Sequence, residues 1–331
     1  MVQSAPRSSP QRYRNFTTHL RQTFGCRVQK VSIDAGFTCP NRDGTLTVGG
    51  CIYCNNVSFS PGNRRLSVSE QLERGKRFLQ RRYGAQKFIA YFQAYTNTYG
   101  DVNRLKALYD EALAHTDIVG LAIGTRPDCV PDAVLEFLAD YASRTYVWLE
   151  LGLESGHDQT LALLNRGHTV AAFDDAVHRA QQRQLQICAH VILGLPGETP
   201  EAMCTTIQHL AVLGLDAVKL HHLHVVRHTV LEKMYQRGEV SLLSLDEYAK
   251  LVVDCLEWLP PEMIIMRLMG DAPRSTLVAP LWSLQKQAAL QRIEQELERR
   301  DTYQGKQYRK DEELRTGRRG CSEERKHRGN H

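Results

Sequence analysis

Three cysteines stand close together in residues 34–62: Cys39, Cys51 after eleven intervening residues, and Cys54 after two more. The stretch carries five glycines and two prolines among its 29 residues, a composition that makes a loop rather than a helix or strand. Thiolates at such spacing on a loop can converge on one centre. The chemistry that wants them is soft-metal ligation, by zinc or by an iron–sulfur cluster. A structural zinc ion normally closes with four protein ligands, often as two Cys-x-x-Cys pairs, and only one such pair is present. Cys26 is the nearest candidate for a fourth ligand, but it precedes an apparent strand and would have to reach back. A 4Fe–4S cluster held by three thiolates keeps one iron open to a small ligand, which suits catalysis. Three unrelated buried thiols are the remaining reading, since free cysteine often serves as a small apolar side chain.

The loop needs a scaffold, and the rest of the chain supplies a regular one. Short apolar strands are expected at 28–34, 87–92, 118–123, 146–151, 185–193 and 217–223. Helices are expected between them, over 67–82, 102–114, from Pro131 onward, 158–164, 170–183 and 200–213. Strands alternating with helices imply a parallel sheet with right-handed crossovers. Six such units give an α/β fold, an open partial (β/α)6 barrel with its chemistry at the carboxyl ends of the strands. Helices near 229–237 and 244–258, a strand at 262–268 and a long charged helix over 282–300 follow. The expected domain plan is a loose N-terminus over 1–14, a core domain over 15–275 and a C-terminal helical extension over 276–300. A disordered tail covers 301–331, where nine Lys/Arg and six Asp/Glu accompany almost no large apolar residue, too little to offset chain entropy.

Five segments fall at the expected strand ends: Gly50-Cys-Ile-Tyr-Cys54, Tyr91-Phe-Gln-Ala-Tyr-Thr-Asn97, Ile123-Gly-Thr-Arg-Pro-Asp128, Glu150-Leu-Gly-Leu-Glu-Ser-Gly156 and Val191-Ile-Leu-Gly-Leu-Pro-Gly-Glu-Thr199. In order and spacing they resemble the radical S-adenosylmethionine (SAM) superfamily over about residues 15–275. The first cysteine gap is wider than that superfamily's commonest pattern. It looks like the YhcC-like subgroup, related to the radical SAM domain of the Elongator acetyltransferase subunit. The resemblance implies a 4Fe–4S cluster on Cys39, Cys51 and Cys54 whose fourth iron binds SAM. It also implies reductive cleavage of SAM to a 5′-deoxyadenosyl radical, hydrogen abstraction from a substrate, and an electron donor such as flavodoxin or ferredoxin.

It assigns cofactor-binding positions residue by residue. Tyr53 matches the aromatic before the last cysteine, which packs near the adenine; ordinary loop packing is its plain alternative. The family's Gly-Gly-Glu run for the methionine amino group is absent, and Gln93 with Asn97 could offer amide acceptors instead. Glu154 and Ser155 close the fourth strand, where a carboxylate, an acceptor only, suits SAM hydroxyls or an ammonium. Arg166 matches a basic position that faces the SAM carboxylate, which a guanidinium can bind with two hydrogen bonds. Gly194 lies in a turn resembling the one that contacts adenine. His221, His222, His224 and His228 form a further group that could bind a second metal or steer a substrate, or could simply be satisfied in place.

Composition narrows the setting. No run approaches the roughly 18–20 apolar residues of a membrane span, and the N-terminus has no apolar secretory segment. Nine cysteines, six of them scattered, do not make a disulfide framework, so a reducing, cytoplasmic location is expected. The net charge of +5 is unevenly spread: residues 1–87 hold 15 Lys/Arg against 4 Asp/Glu, which is +11. Arg12, Arg14, Arg21 and Arg27 before the cysteine loop, and Arg64, Arg65, Arg74, Arg77, Arg81 and Arg82 after it, are expected to flank the barrel mouth, where a positive rim could attract a polyanion such as RNA. The rival from another class is a zinc-containing RNA-binding module without redox chemistry. A third option keeps the cluster but makes SAM structural.

Overall fold

The computed structural model of the chain describes residues 11–55 and 65–308. Seven strands form one parallel sheet in sequence order, with one strand of a separate ribbon falling between the sixth and seventh. They are β1 (Val28–Ile33), β2 (Lys87–Phe92), β3 (Ile118–Thr125), β4 (Tyr146–Glu154), β5 (Gln186–Leu193), β6 (Ala217–His222) and β8 (Ile264–Arg267). A small antiparallel ribbon of β7 (Val225–Val226) and β9 (Leu277–Ala279) stands apart. The crossovers run through α2 (Val68–Tyr83), α3 (Val102–Leu113), α4 (Asp132–Ala142), α5 (Asp158–Leu163), α6 (Val170–Gln182) and α7 (Pro200–Leu213). The sheet curls into a half-barrel with these helices outside. The seventh strand enlarges the six-strand plan read from sequence.

Alternation along the strands divides the interior. One set of side chains, including Val31, Phe88, Ala90, Leu121, Leu149, Ile187 and Val218, packs with the helices in the largest apolar cluster. The opposite set faces the lumen. Its lowest layer is Val28, Ile89, Trp148, Cys188, Ala217 and Ile264. A helix absent from the sequence expectations, α1 (Phe16–Phe24), seals that floor. Asn15 caps it by accepting from the Thr18 N–H, and Gly25 at φ 68° ends it. Phe16, Leu20 and Phe24 repeat at four-residue spacing and so share one helical face. Phe16 meets Trp148 edge-on at 6.1 Å and Phe24 meets Tyr146 at 5.2 Å.

The C-terminal segment departs from the expected extension and tail. After α8 (Val230–Gln236), α9 (Leu245–Trp258) and β8, the 276–300 region is stitched into the core: β9 pairs with β7, and Trp282 stacks by His222 at 4.4 Å. A 3-10 turn at Leu281–Leu284 precedes α10 (Lys286–Arg299), so the long helix begins later than expected. Residues 301–308 are ordered, not part of a disordered tail. Thr302 donates to Glu257 at 2.5 Å, and the Gln304 amide donates to the Pro260 and Met263 carbonyls at 2.6 and 2.8 Å. Gln304 also accepts from the Arg14 N–H at 2.9 Å, which ties down residues 11–14 as well. Polar partners, rather than apolar burial, hold this strap, and composition does not reveal them. The remaining expectations for 1–10 and 309–331 lie outside the described residues.

The basic segment also sits elsewhere than expected. A helix that follows a strand in this topology returns from rim to floor. Accordingly Tyr83, at the end of α2, lies under the Arg27 guanidinium at 5.3 Å, and Arg27 precedes β1. Arg77, Arg81 and Arg82 are exposed near the floor, away from the mouth. Arg64 lies outside the described residues. Among the described residues, no helix is long and apolar enough to cross a membrane.

Candidate functional site

The cysteine loop leaves β1 at the rim and is fastened at its start. There the Asp34 N–H donates to Gln71 of α2 at 2.9 Å, and Gln71 donates back to the Asp34 carbonyl at 2.9 Å. Turns then present the sulfurs: the Arg42 N–H donates to the Cys39 carbonyl at 2.8 Å, and the Cys54 N–H to the Cys51 carbonyl at 3.0 Å. Between them Ile52 drops into an apolar cluster with Leu164, Ile192, Leu195 and Leu223, a burial worth about 1.5–3 kcal/mol.

The loop after α5 is its counterpart. The Ile52 N–H donates to the Leu164 carbonyl at 3.0 Å, and Asn165 donates to the Gly50 carbonyl at 2.9 Å. The Asn41 amide donates to the Asn165 and Arg166 carbonyls at 2.5 and 3.0 Å, and Arg126 donates to the Arg166 carbonyl at 2.6 Å. Arg126 is held in turn by two 2.9 Å bonds to Asp128. Gly167 is required here: at φ 73°, a Cβ on it would lie 2.5 Å from the Asn41 amide oxygen. Asn41, Arg126 and Asn165 were missed in the sequence; their signal is only a polar side chain in a turn.

One cavity opens at the rim. Cys39, Cys51, Cys54, Tyr53, Gln93, Glu154 and Arg166 all line it. Arg166 is buried and central. Its guanidinium donates to the Gly152 carbonyl at 2.8 Å, pairs with Glu154 at 3.2 Å and donates to the Cys51 sulfur at 3.7 Å. A Cβ at position 152 would come within 2.4 Å of that guanidinium, so glycine is what admits it. Asn41 donates to the same sulfur at 3.6 Å. Gln93 lines the cavity and accepts from the Ser32 hydroxyl at 3.2 Å.

Two candidates turn away from this cavity. Ser155 is buried and donates to Glu198. Gly194, at φ 87°, donates its N–H to the Met203 sulfur at 3.0 Å beside Leu243. Asn97 is buried and donates to the Gly124 carbonyl at 2.8 Å. Cys26 lies at the floor with the apolar layer there, the length of β1 below Cys39. Six strand residues span roughly 20 Å at about 3.3 Å each, so it is no fourth ligand. Cys129 is buried by the rim, and its thiol is pushed up to about 12 by burial and then by Asp128.

The electrostatics suit a positively charged guest on soft donors. Burial first, then the neighbouring Cys51, pushes the Cys54 thiol up to about 12, with Arg42 opposing. Thiols so placed ionise when a metal takes their charge. The N–H donors on Cys51 are of the kind that tune cluster thiolates. Burial raises the Glu154 carboxyl above its ordinary range, against the pull of Arg166. The residues present therefore fit a cluster. Among the described residues, no three His, Cys, Asp or Glu side chains lie close enough together to hold a single metal ion. Of the histidine group, His221, His222 and His224 all line the cavity, and His222 is hydrogen-bonded to Ser283 at 2.6 Å.

A second set of polar side chains went unnoticed in the sequence. Below the rim, the fully buried Glu150 of β4 meets Lys30 of β1 at 2.5 Å, His190 of β5 at 2.9 Å and Lys219 of β6. Lys219 also donates to the Tyr91 hydroxyl at 3.1 Å. The signal was available: a charged residue inside an apolar strand that the fold covers on both faces.

Comparison with known proteins agrees with this geometry. Residues 39–210 match the model of the radical SAM superfamily, and residues 215–299 match a radical SAM C-terminal domain. The chain is 40% identical to the uncharacterized protein YtqA of Bacillus subtilis over 318 residues, covering 95% of this chain and 99% of that one. It is 42% identical to protein YhcC of Escherichia coli over 269 residues, 81% and 86% of the two chains. A tRNA uridine(34) acetyltransferase of Dehalococcoides mccartyi is 29% identical over 166 residues, 49% of this chain and 36% of that one. Among solved structures, the Elp3 of Methanocaldococcus infernus superposes with a TM-score of 0.63 at 18% identity, covering 84% of this chain and 64% of that one. Methylornithine synthase (PylB) gives 0.50 at 14% identity, with 87% and 86% covered.

Proposed function

The chain belongs to the radical SAM superfamily, and on that premise we propose that it is an enzyme whose Cys39, Cys51 and Cys54 hold a 4Fe–4S cluster beside a SAM site formed by Tyr53, Gln93, Glu154 and Arg166. The observation that carries this reading is the convergence of those seven side chains on one cavity at the carboxyl ends of the strands. When bound, the cluster and SAM together supply one-electron reductive cleavage to a 5′-deoxyadenosyl radical, which abstracts hydrogen from a substrate.

The chain's own residues do the rest. Arg166 and Asn41 orient the Cys51 sulfur through N–H donors, and Arg166 offers its guanidinium to the SAM carboxylate. Glu154, held at the cavity wall by Arg166, receives the ammonium or the ribose hydroxyls. Tyr53 packs against the adenine. Ile52 and its apolar neighbours keep water from the sulfurs. Ser155 and Gly194 act indirectly, by shaping the loops toward Glu198 and Met203. A low-potential donor such as flavodoxin or ferredoxin provides the electron, in a reducing cytoplasm. The test is metal analysis of anaerobically purified protein. Brown colour with iron and sulfide in equal amounts supports the reading; a colourless protein with stoichiometric zinc supports the zinc module instead.

RNA is a second reading, for the partner rather than the chemistry. It is favoured by the +11 of residues 1–87 and by the similarity to a relative named as a tRNA uridine(34) acetyltransferase. Because the exposed arginines of α2 sit at the floor, a tRNA held there would have to wrap the barrel to reach the mouth. Anisotropy titration of bulk tRNA between low and moderate salt tests this reading. Binding that weakens steeply with salt supports it, and no binding at low salt sinks it.

A further inference from the structure

The lumen beneath the rim carries more positive charge than its own carboxylate balances. Lys219 and Arg267 line it beside Glu150, Lys30 reaches the same carboxylate, and the other acid of the cavity, Glu154, is paired with Arg166. Glu150 is already committed to both lysines and to His190. Among the described residues Arg267 is paired only with Asp271, at 3.6 Å, and that carboxylate also takes Lys286 at 2.9 Å. His221 adds a ring nitrogen, Nε2, that is buried without a hydrogen-bond partner. Cations in a recess of low dielectric are costly unless an anion compensates them. A recess rich in donors and short of acceptors is built for an acceptor that arrives from outside.

The place is set apart from the cofactor positions along the sheet. Lys219 of β6 stands in register with His190 of β5 and Gly152 of β4, whose carbonyl takes Arg166, and Arg267 of β8 pairs with Lys219. The lumen cations therefore lie two and three strands along the curl from Gly152, level with the anchor of Arg166, where a substrate would sit beside a cofactor bound at the rim.

We propose that the lumen is the subsite for a negatively charged group of the substrate, a carboxylate or a phosphate, received by Lys219, Arg267 and His221. It rests on the radical SAM reading only in taking the occupant to be the substrate. Glu150 then acts as a positioning residue: it holds Lys219 and Lys30 on opposite walls and keeps their ammonium groups aimed inward. The competing account is that Lys30, Glu150 and Lys219 form a closed structural triad that needs no guest.

Thermal unfolding of the anaerobically prepared full chain decides between them, with sodium phosphate and sodium malonate as probes against chloride at equal ionic strength. An anion that saturates the site raises the midpoint by about 2–4 °C. Phosphate alone identifies a phosphate group, and malonate alone a carboxylate. Lys219→Met and Arg267→Gln each abolish the rise, while Arg77→Gln/Arg81→Gln on the floor side keeps it. Should Lys219→Met fail to fold by circular dichroism, Arg267→Gln carries the test, since that side chain is part-exposed at the rim of the network. No rise with either anion, or a rise undiminished in both lumen variants, overturns the proposal. Cluster absorbance recorded on the same samples separates the two readings: a normal cluster with no anion response removes only the anion subsite, whereas a missing cluster removes the enzyme reading and leaves the anion response to be judged by itself.

Discussion

Glu150 and Glu154 lie four residues apart on one strand, both buried, and titrate in opposite directions. Burial pushes each carboxyl up. At the rim, Glu154 has Arg166 as its partner, a guanidinium already shared with the Gly152 carbonyl and the Cys51 sulfur, and burial wins. In the lumen, Glu150 has Lys219, Lys30 and His190, and together they outweigh burial and hold it well below the usual carboxylate range. Burial in the same environment pulls the Lys219 ammonium down to about 8 and the His190 imidazole to about 4. The difference teaches how the number of close cations decides the charge of a buried carboxylate. At the rim, Arg166 with lesser help from Tyr53 and Arg126 does not overcome burial. The lumen fixes one permanent anion among cations.

The widest separation of the two regions is expected from Cys51→Ala. It should abolish the visible absorbance of reconstituted protein, while Cys26→Ala and Cys129→Ala leave it in place. Loss of absorbance in Cys26→Ala, although that residue sits at the floor, would break the assignment of three ligands at the rim.

Next in size is Glu150→Gln, which strands the buried Lys219 and the half-buried Lys30. Breaking such a pair costs about 3–5 kcal/mol, measurable by denaturant unfolding, with the cluster unaffected in the protein that folds. The pH dependence has a definite sign. Because the folded Glu150 is more acidic than the unfolded one, its contribution is complete above about pH 4.3 and is lost as pH falls through its lower folded value. Wild type should therefore lose stability in acid more steeply than Glu150→Gln. Glu154 contributes with the opposite sign, since its proton is held more tightly in the folded state. Parallel acid profiles of wild type and Glu150→Gln would contradict the lumen account.

Arg166→Ala should weaken SAM binding, read by calorimetry on reconstituted protein, by about 1.5–3 kcal/mol for a lost charge-assisted pair. Glu154→Ala should behave likewise, and unchanged affinity in both would take them out of the cofactor site. The smallest effect belongs to the floor: Arg77→Glu/Arg81→Glu should leave stability within about 0.5 kcal/mol. It should flatten the salt dependence of tRNA binding if that surface is used.

How much of this was legible in the sequence follows the same division. The strand–helix alternation announces the barrel because a parallel strand covered on both faces must be a short apolar run. The cysteines and Arg166 announce the rim because loop residues of reactive type have few structural reasons to be there. The lumen was silent to the same reading. Glu150, Lys219 and His190 interrupt apolar strands singly, and only the curl of the sheet brings them together. The floor helix α1 was readable in hindsight from the Asn15 cap and the spacing of Phe16, Leu20 and Phe24. The basic helix was misplaced because charge along a sequence does not say which end of a barrel it will face. The strap at 301–308 was misread because its anchors, Thr302 and Gln304, are polar.

The central claim is that the rim cavity performs radical SAM chemistry, and it is tested most directly by the fate of SAM. Anaerobic protein reconstituted with iron and sulfide, then given SAM and dithionite, should form 5′-deoxyadenosine, and the Cys51→Ala protein should form none. A brown, SAM-binding protein that yields no 5′-deoxyadenosine under those conditions would contradict the claim and leave SAM with a structural part.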